Sequence, residues 1–413
     1  MSAHRSPFNT RVAFVVETAR RLHQYGTAAP RLEMAVSRMG ERLGLRIEVW
    51  SSPTAIILSA STLDATNAAA LAEVTQVMRL PPGDVDLARL CRVDRIADEV
   101  IAGTLDVEDG FRQLRALTEP RPRWWWPLSV AAFGIAAAMV AVLLHGAWVD
   151  QLAAGVIGIV IGQVTVSSAG HPRMAVASEA IAALLATLIA GAIGAFIVPL
   201  ALKTVVISGL IVLMPGLALT NAVREISTQH LVSGTARLAG ALSSLLKLTF
   251  GTLAGAQILD LLGWHALGAP LAAAPNWIEF PALLLGSAAF GVLFQTAPRD
   301  WPLVMGAAII GYLSTRMGTG LYGPSFGVFV GGLIIAALSN LYARYRHRPG
   351  ALLREPGIIL LVPGAVGFRS VSLLLERNVH IGTDAAVLLI SLLVALVAGL
   401  LFGDLLIGPR RSL

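Results

Sequence analysis

From about residue 125 onward the chain is organised into ten long apolar runs, at approximately 125–147, 151–169, 175–198, 204–222, 231–263, 280–296, 302–317, 323–343, 357–375 and 382–406. Several approach the ~20 residues that a helix needs to cross a bilayer, and the fifth is long enough to tilt or break. Upstream the pattern changes. Val12, Phe14, Val15, Ala19 and Leu22 recur at helical spacing and Gly26 closes the stretch, with a second helix predicted from about Pro30 to Leu43. Leu45-Arg-Ile-Glu-Val-Trp50 alternates apolar and polar residues, and Thr54-Ala-Ile-Ile-Leu-Ser59 follows after Ser-Ser-Pro, which predicts two strands joined by a short turn. A third strand is expected at 75–80, before Pro81-Pro82-Gly83, and helices at about 87–101 and 107–116 complete a compact α+β domain. Glu119-Pro-Arg-Pro-Arg123 reads as a linker and Trp124-Trp125-Trp126 as an interfacial anchor.

Two of the apolar runs are interrupted in the same way. The stretch from Ile211 to Glu225 breaks at Pro215-Gly216 and continues with Thr220, Asn221 and Arg224. Its echo, 148 residues later, breaks at Pro363-Gly364 and continues with Arg369 and Ser370. Proline removes a helical N–H and glycine loosens the backbone, which lipid tolerates only where the freed groups line a cavity or meet a ligand. Further matches fall in the same order: Ala254-Gly255 and Asp260 in the fifth run with Ala398-Gly399 and Asp404 in the tenth, and Ala131-Ala-Phe-Gly134 with Ala288-Ala-Phe-Gly291. Ten spans divide as five plus five, and an odd number per half turns the second half upside down. The expectation is therefore an α-helical polytopic membrane protein of about ten transmembrane helices in two inverted five-helix repeats, preceded by a small cytosolic α+β domain. The domains are drawn at 1–123, 124–265 and 278–408.

Composition agrees: 413 residues are 55% hydrophobic and 14% charged, too apolar for an ordinary soluble protein. Residues 1–123 hold 16 Lys/Arg and 15 Asp/Glu, a nearly neutral domain. The remaining basic excess lies mostly in loops. Twelve arginines (121, 123, 173, 224, 237, 299, 344, 346, 348, 354, 410 and 411) fall in one set of connections, and only Lys203, Arg316 and Arg377 in the other. By the positive-inside rule both termini face the cytoplasm. The polar N-terminus, with its short first apolar run, does not read as a signal peptide, so the leading domain is expected to stay cytoplasmic. No basic cluster interleaved with aromatics points to nucleic acid. Cys91 is the only cysteine and the histidines show no metal-ligand spacing, so no metal or other cofactor is expected.

The residues around the breaks resemble the bacterial threonine/serine exporter family, including relatives split into two subunits that export dicarboxylates such as succinate. The resemblance covers nearly the whole chain. It rests on Ser52-Pro-Thr-Ala-Ile-Ile-Leu-Ser59 with the later Gly103-Thr-Leu and Leu114, on Met214-Pro-Gly-Leu-Ala-Leu-Thr-Asn-Ala-Val-Arg224 followed by Ser233-Gly-Thr-Ala-Arg-Leu238, and on Val362-Pro-Gly-Ala-Val-Gly-Phe-Arg-Ser370. The family pattern has an acidic residue, usually Asp, after that first arginine; Glu225 stands there and keeps the charge. The resemblance implies ion-driven efflux of amino acids or carboxylates across a bacterial inner membrane.

The residues themselves point the same way. A hydroxyl, an amide and a guanidinium at Thr220, Asn221 and Arg224 suit a substrate carboxylate, which arginine grips bidentately; the bland reading makes Arg224 a headgroup anchor. Pro215, Gly216, Pro363, Gly364, Arg369 and Ser370 complete the candidate binding set, with Arg369 too deep in its span to reach the headgroups easily. Candidates for ion coupling or gating are Glu179, Asp260 and Asp404, whose plainer reading for the two aspartates is solvated helix ends, together with Arg237 and Lys247, the latter expected in a cavity or ion pair. Gly318-Thr-Gly-Leu-Tyr-Gly323 matches a dinucleotide fingerprint in letters but follows an apolar helix, so it reads as close helix packing. Gly323-Pro-Ser-Phe-Gly327 lacks the strand and base of a nucleophile elbow. A membrane-tethered hydrolase is the competing class, and it is disfavoured because His23 is the only histidine between Arg5 and Trp124. Threonine/serine-type amino acids are the expected cargo, dicarboxylates the alternative, and homo-oligomerisation is left open.

Overall fold

The computed structural model describes residues 6–63, 74–119, 121–168, 170–376 and 378–408; Pro120, Arg377, Arg410 and Arg411, used in the linker and charge readings, lie outside them. The N-terminal domain follows its sequence pattern closely. Helix α1 (Phe8–Gln24) buries Phe14, Val15 and Ala19 completely, and Gly26 ends it with φ +80°. Helix α2 (Ala29–Arg42) turns Leu32, Val36 and Met39 inward. Strands β1 (Leu45–Ser52), β2 (Ala55–Thr62) and β3 (Val74–Arg79) form an antiparallel meander in the order β1-β2-β3. Ser52 pairs with Ala55, leaving Pro53 and Thr54 as the turn. The alternating Leu45, Ile47, Ile56, Leu58 and Ala60 face the two helices, as a half-buried sheet requires. Helices α3 (Leu87–Ala102) and α4 (Val107–Ala116) start at aspartate caps: Asp86 accepts the Arg89 N–H at 2.9 Å and Asp106 the Glu108 N–H at 3.2 Å.

All ten apolar runs are helical. They form α5 (Trp125–Leu143), α6 (Trp148–Ser168), α7 (Pro172–Phe196), the bent pair α8 (Leu202–Gly209) and α9 (Gly216–Ser227), α10 (Leu231–Leu261), α11 (Glu279–Leu293), α12 (Trp301–Tyr322), α13 (Pro324–Arg346), the bent pair α14 (Ala351–Ile359) and α15 (Gly364–Leu375), and α16 (Val379–Leu406). Among the described residues seven helices are long and apolar enough to cross a membrane, or nine when each bent pair counts as one span. Helix α12, the tenth, has the length but carries Ser314, Thr315, Arg316 and Thr319 in its second half. The 31-residue α10 stays unbroken where the sequence left a break open.

The packing is symmetric under exchange of the first five of these runs with the second five. Helix α7 lies on α10 as α13 lies on α16, α6 on α8 as α12 on α14, and α9 on α10 as α15 on α16. Across the halves α10 meets α15 and α16 meets α9, while α5 packs on α11 and α9 on α15. In the α12–α13 pair, a Cβ on Gly318 would stand 2.8 Å from the Cα of Gly327, so this glycine string serves close packing, as its place in an apolar helix implied.

The connections segregate to two ends. At one, the N-terminal domain meets the turns at 228–230, 294–300 and 347–350: the Leu87 N–H donates to the Phe294 carbonyl at 3.0 Å, and Arg121 bonds Asp86 at 2.6 Å while stacking on Trp125. One hydrophobic core runs from Phe14 and Leu32 through to Phe294, Val304 and Leu352. At the far end Asp150 accepts the N–H groups of Ala147 and Ala201, both at 2.9 Å, and Leu267 donates to the Gly194 carbonyl at 3.0 Å.

Candidate functional site at the paired helix breaks

The two breaks have the same backbone. Pro215 has φ −78° and ψ 45°, Pro363 φ −83° and ψ 43°. Gly216 donates to the Met214 carbonyl at 2.8 Å and Gly364 to the Val362 carbonyl at 2.9 Å, each a three-residue γ-turn. Each helix then restarts on the proline carbonyl, from Leu219 at 2.9 Å and from Gly367 at 3.0 Å. The bends are 52° and 41°. The breaks also touch. A Cβ on Gly364 would lie 3.3 Å from the Gly216 Cα, and one on Gly216 would lie 2.3 Å from Val362 Cγ1, so glycine is what lets the chains cross. The crossing is glycine against glycine.

Around it, the polar side chains divide. Thr220 is fully buried, and its hydroxyl has no hydrogen-bond partner among the described residues. Asn221 is half-buried, likewise without a partner among them. Ser370 is buried and donates to the Gly382 carbonyl at 3.1 Å, which ties α15 to α16. Arg369 is exposed on α15, with no charged partner among the described residues. Glu179 accepts from Ser244 at 2.7 Å and pairs with Lys247 at 3.2 Å, joining two candidates named separately from the sequence. Asp260 is exposed at the far end of α10.

Asp404 stands at the centre of a network. It binds Arg354, Arg224 at 3.2 Å and Asn340 at 2.7 Å, and its side chain is 18% exposed. Arg354 also reaches Ser339 at 3.3 Å, and Asn340 donates to the Ile407 carbonyl at 2.6 Å. The plainer readings, a solvated helix end for Asp404 and a headgroup anchor for Arg224, are thus both replaced by a shared ion-pair cluster. Two guanidiniums on one carboxylate offset the desolvation that a lone charge would suffer there.

Profile comparison supplies the deciding observation: the threonine/serine exporter profile ThrE matches residues 13–259, more than half of the chain, and a second, described as Threonine/Serine exporter, ThrE, matches residues 279–406. The chain belongs to the threonine/serine exporter family. It is 23% identical over 335 residues to a threonine/serine exporter of Corynebacterium glutamicum, covering 78% of this chain and 67% of that protein. It is 25% identical over 385 residues to pheromone-regulated membrane protein 10 of Debaryomyces hansenii, covering 90% of this chain and 37% of the relative. Among the curated relatives it matches, the chain spans from about a third to two-thirds of their length. No solved structure matches it. As a member of a transporter family the chain is not an enzyme.

In this exporter-family chain the acidic residue after Arg224 has a definite task. Glu225 is completely buried and receives Arg237 through two bonds, at 3.0 and 2.9 Å, and the Ser233 hydroxyl at 2.9 Å. It also accepts the Ala29 N–H at 3.2 Å, so a membrane-region carboxylate caps α2 of the N-terminal domain. Arg237 is therefore an ion-pair member rather than a simple anchor. Nearby, His230 meets Glu33 at 3.2 Å, and Glu33 holds the Ser51 N–H at 2.7 Å.

Sequence reasoning missed Arg31, Asn340 and Glu355, and used Arg354 only as a loop charge. The ninth span begins at Ala351 rather than at 357, which draws Arg354-Glu355 into α14 with Pro356 inside the helix. The usable signal was a charged pair only a few residues ahead of a Pro-Gly break. Arg31 had none, because only the docking of α2 brings it to the membrane helices. Burial and the like charge of Arg354 lower its pKa from the ordinary arginine value.

Proposed function

We propose that this chain exports small carboxylate-bearing metabolites, of the threonine/serine amino-acid type, across a bacterial plasma membrane at the expense of an ion gradient. The observation that carries this is the contact between two matched helix breaks in a chain of this family, since paired discontinuous helices are where secondary transporters bind cargo. In this reading the unpartnered Thr220 hydroxyl, Asn221 and the breaks offer the polar groups, and Arg369 the charge. An unpaired guanidinium on an apolar helix is expensive unless it faces a water-filled path. Glu179 with Lys247, and Asp404 with its arginines, are the groups whose pairing an ion gradient would alter. The domain limits at 1–123, 124–265 and 278–408, and cytoplasmic placement of both termini, belong to the same proposal; the matched packing of the halves supports it.

The test uses the purified chain in vesicles loaded with threonine, serine or succinate under an imposed proton gradient. Gradient-dependent release of threonine and serine is expected. Release of succinate alone, or of none of the three, overturns the assignment. A reporter active only outside the cytoplasm, fused after residue 413, is expected to stay silent, and a signal there overturns the orientation.

A further inference from the structure

Between the N-terminal domain and the membrane helices lies a narrow, partly open cavity of about 50 Å³. Arg31 and Thr27 enter its wall from the domain, and Arg224 and Glu355 from the inner segments of the two bent spans. Asp94 lines it as well. The Glu355 Oε2 and Thr27 Oγ1 atoms are shut off from solvent, and neither has a hydrogen-bond partner among the described residues. The Arg31 guanidinium likewise has no hydrogen-bond partner among them, and it lies within the electrostatic reach of Glu355, Asp94 and Arg354. Buried polar groups of native proteins are nearly always paired, so a carboxylate oxygen and a hydroxyl orphaned in one cavity mark a place that a ligand or water fills.

The signs of the charges say what kind of ligand. Arg224 is already paired with Asp404, which leaves Arg31 and Glu355 as one cation and one anion facing a ligand, so a dianion would gain no net attraction while a zwitterion has a counterpart for each pole. We propose that this cavity is the loading site for a zwitterionic hydroxy-amino acid, with Glu355 receiving the α-ammonium, Arg31 the α-carboxylate and Thr27 the side-chain hydroxyl. The inference rests on the amino-acid export reading above and sharpens it: the charge balance selects amino acids over dicarboxylates. It also gives the N-terminal domain a share in cargo choice. About 50 Å³ holds a few water molecules and is too tight for threonine. Loading therefore requires the domain to lift on the cavity side, where the bonds from Ala29 to Glu225 and from His230 to Glu33 are among the contacts that part.

The full chain in vesicles, assayed for concentration-dependent threonine transport, tests this. Glu355→Gln keeps the shape and removes the charge; it is expected to raise KM for threonine at least tenfold and to abolish the preference for threonine over N-acetylthreonine. Thr27→Val is expected to erase the preference for threonine over valine. Arg31→Met is expected to raise KM for threonine but not for threoninol, which lacks the carboxylate. Thermal melting of the same preparations identifies any variant that fails to fold, and the other two then decide. Normal KM and unaltered analogue preferences in well-folded variants overturn the inference and leave the export reading standing; a wild-type chain that moves no amino acid overturns the export reading itself.

Discussion

Two aspartates occupy matched positions in the two halves of the membrane region and have opposite surroundings. Asp260, near the end of α10, is exposed, whereas Asp404, near the end of α16, gathers Arg224, Arg354 and Asn340. The breaks behave differently: Pro215 and Pro363 agree to within a few degrees and make the same γ-turn. Backbone geometry has been kept in duplicate while charge has been concentrated at the end that carries the N-terminal domain. The domain end is latched by buried ion pairs. Among the described residues the far end holds one pair between the bent spans, Lys203 with Glu376 at 3.4 Å with the lysine 79% exposed, and Arg316 with Glu279 at 2.6 Å between α12 and α11. The inequality between the two ends lies in side chains rather than in the fold.

The comparison breaks first at its strongest point. Asp404→Ala strands the buried Arg354 and half-buried Arg224 guanidiniums and is expected to destabilise the protein by about 3–5 kcal/mol, while Asp260→Ala stays within about 0.5 kcal/mol. Denaturant unfolding of the two variants in the same detergent checks this, and equal losses would erase the distinction between the ends. Arg369→Ala comes next. Its side chain is exposed and without a charged partner among the described residues, so folded yield should hold while efflux falls about 10- to 150-fold, the equivalent of one charge-assisted hydrogen-bonding group. Arg369→Lys should recover only part, because an ammonium lacks the bidentate fork. Well-folded Arg369→Ala protein with normal efflux would show that the second break carries no cargo charge.

At the crossing itself, Gly216→Ala drives a methyl to 2.3 Å from Val362 and is expected to cost about 1–3 kcal/mol, with Gly364→Ala milder since its nearest contact is Met214 Cβ at 3.2 Å. Val362→Ala should rescue Gly216→Ala and leave Gly364→Ala unchanged; melting temperatures of the double variants decide. Smaller still is Lys203→Ala at the far end, worth about 0–0.5 kcal/mol for so exposed a pair. The mildest probe is chemical. Burial pushes the Cys91 thiol up to about 11, so at pH 8 it should alkylate about 100-fold more slowly than an ordinary thiol. Glu225→Ala, which loosens the domain, should speed that reaction, because Cys91 lines the cleft between α3 and the turn at 297–300.

The N-terminal domain and the helical spans were legible because they follow local rules. Alternation in Leu45–Trp50, aspartates at the helix starts and Pro-Gly in apolar runs each report a nearby cause. The touching breaks were legible too, since a repeat in sequence implies a partner in space. What escaped was set by contacts between distant segments. Nothing near Arg31 announces that α2 will dock beside Arg224, and nothing near Asn340 announces Asp404. Arg354-Glu355 was visible as a charged pair, but placing the span start at 357 put it outside the membrane helix. Arg369 shows the opposite limit: its depth in an apolar run suggested a cargo-binding role rather than a headgroup anchor, and the structure leaves its side chain exposed.

The cap that Glu225 places on α2 has a consequence for synthesis. Ala29 leaves the ribosome 196 residues before Glu225 does, a wait of about 10–40 seconds at ordinary elongation rates of roughly 5–20 residues per second. The Leu87 N–H must wait for Phe294 in the same way. The first domain of the nascent chain therefore carries unsealed edges until the fourth crossing and then the sixth have been inserted. A chain whose insertion stalls leaves those edges open to chaperones and proteases, so the docking surface doubles as a check on correct insertion.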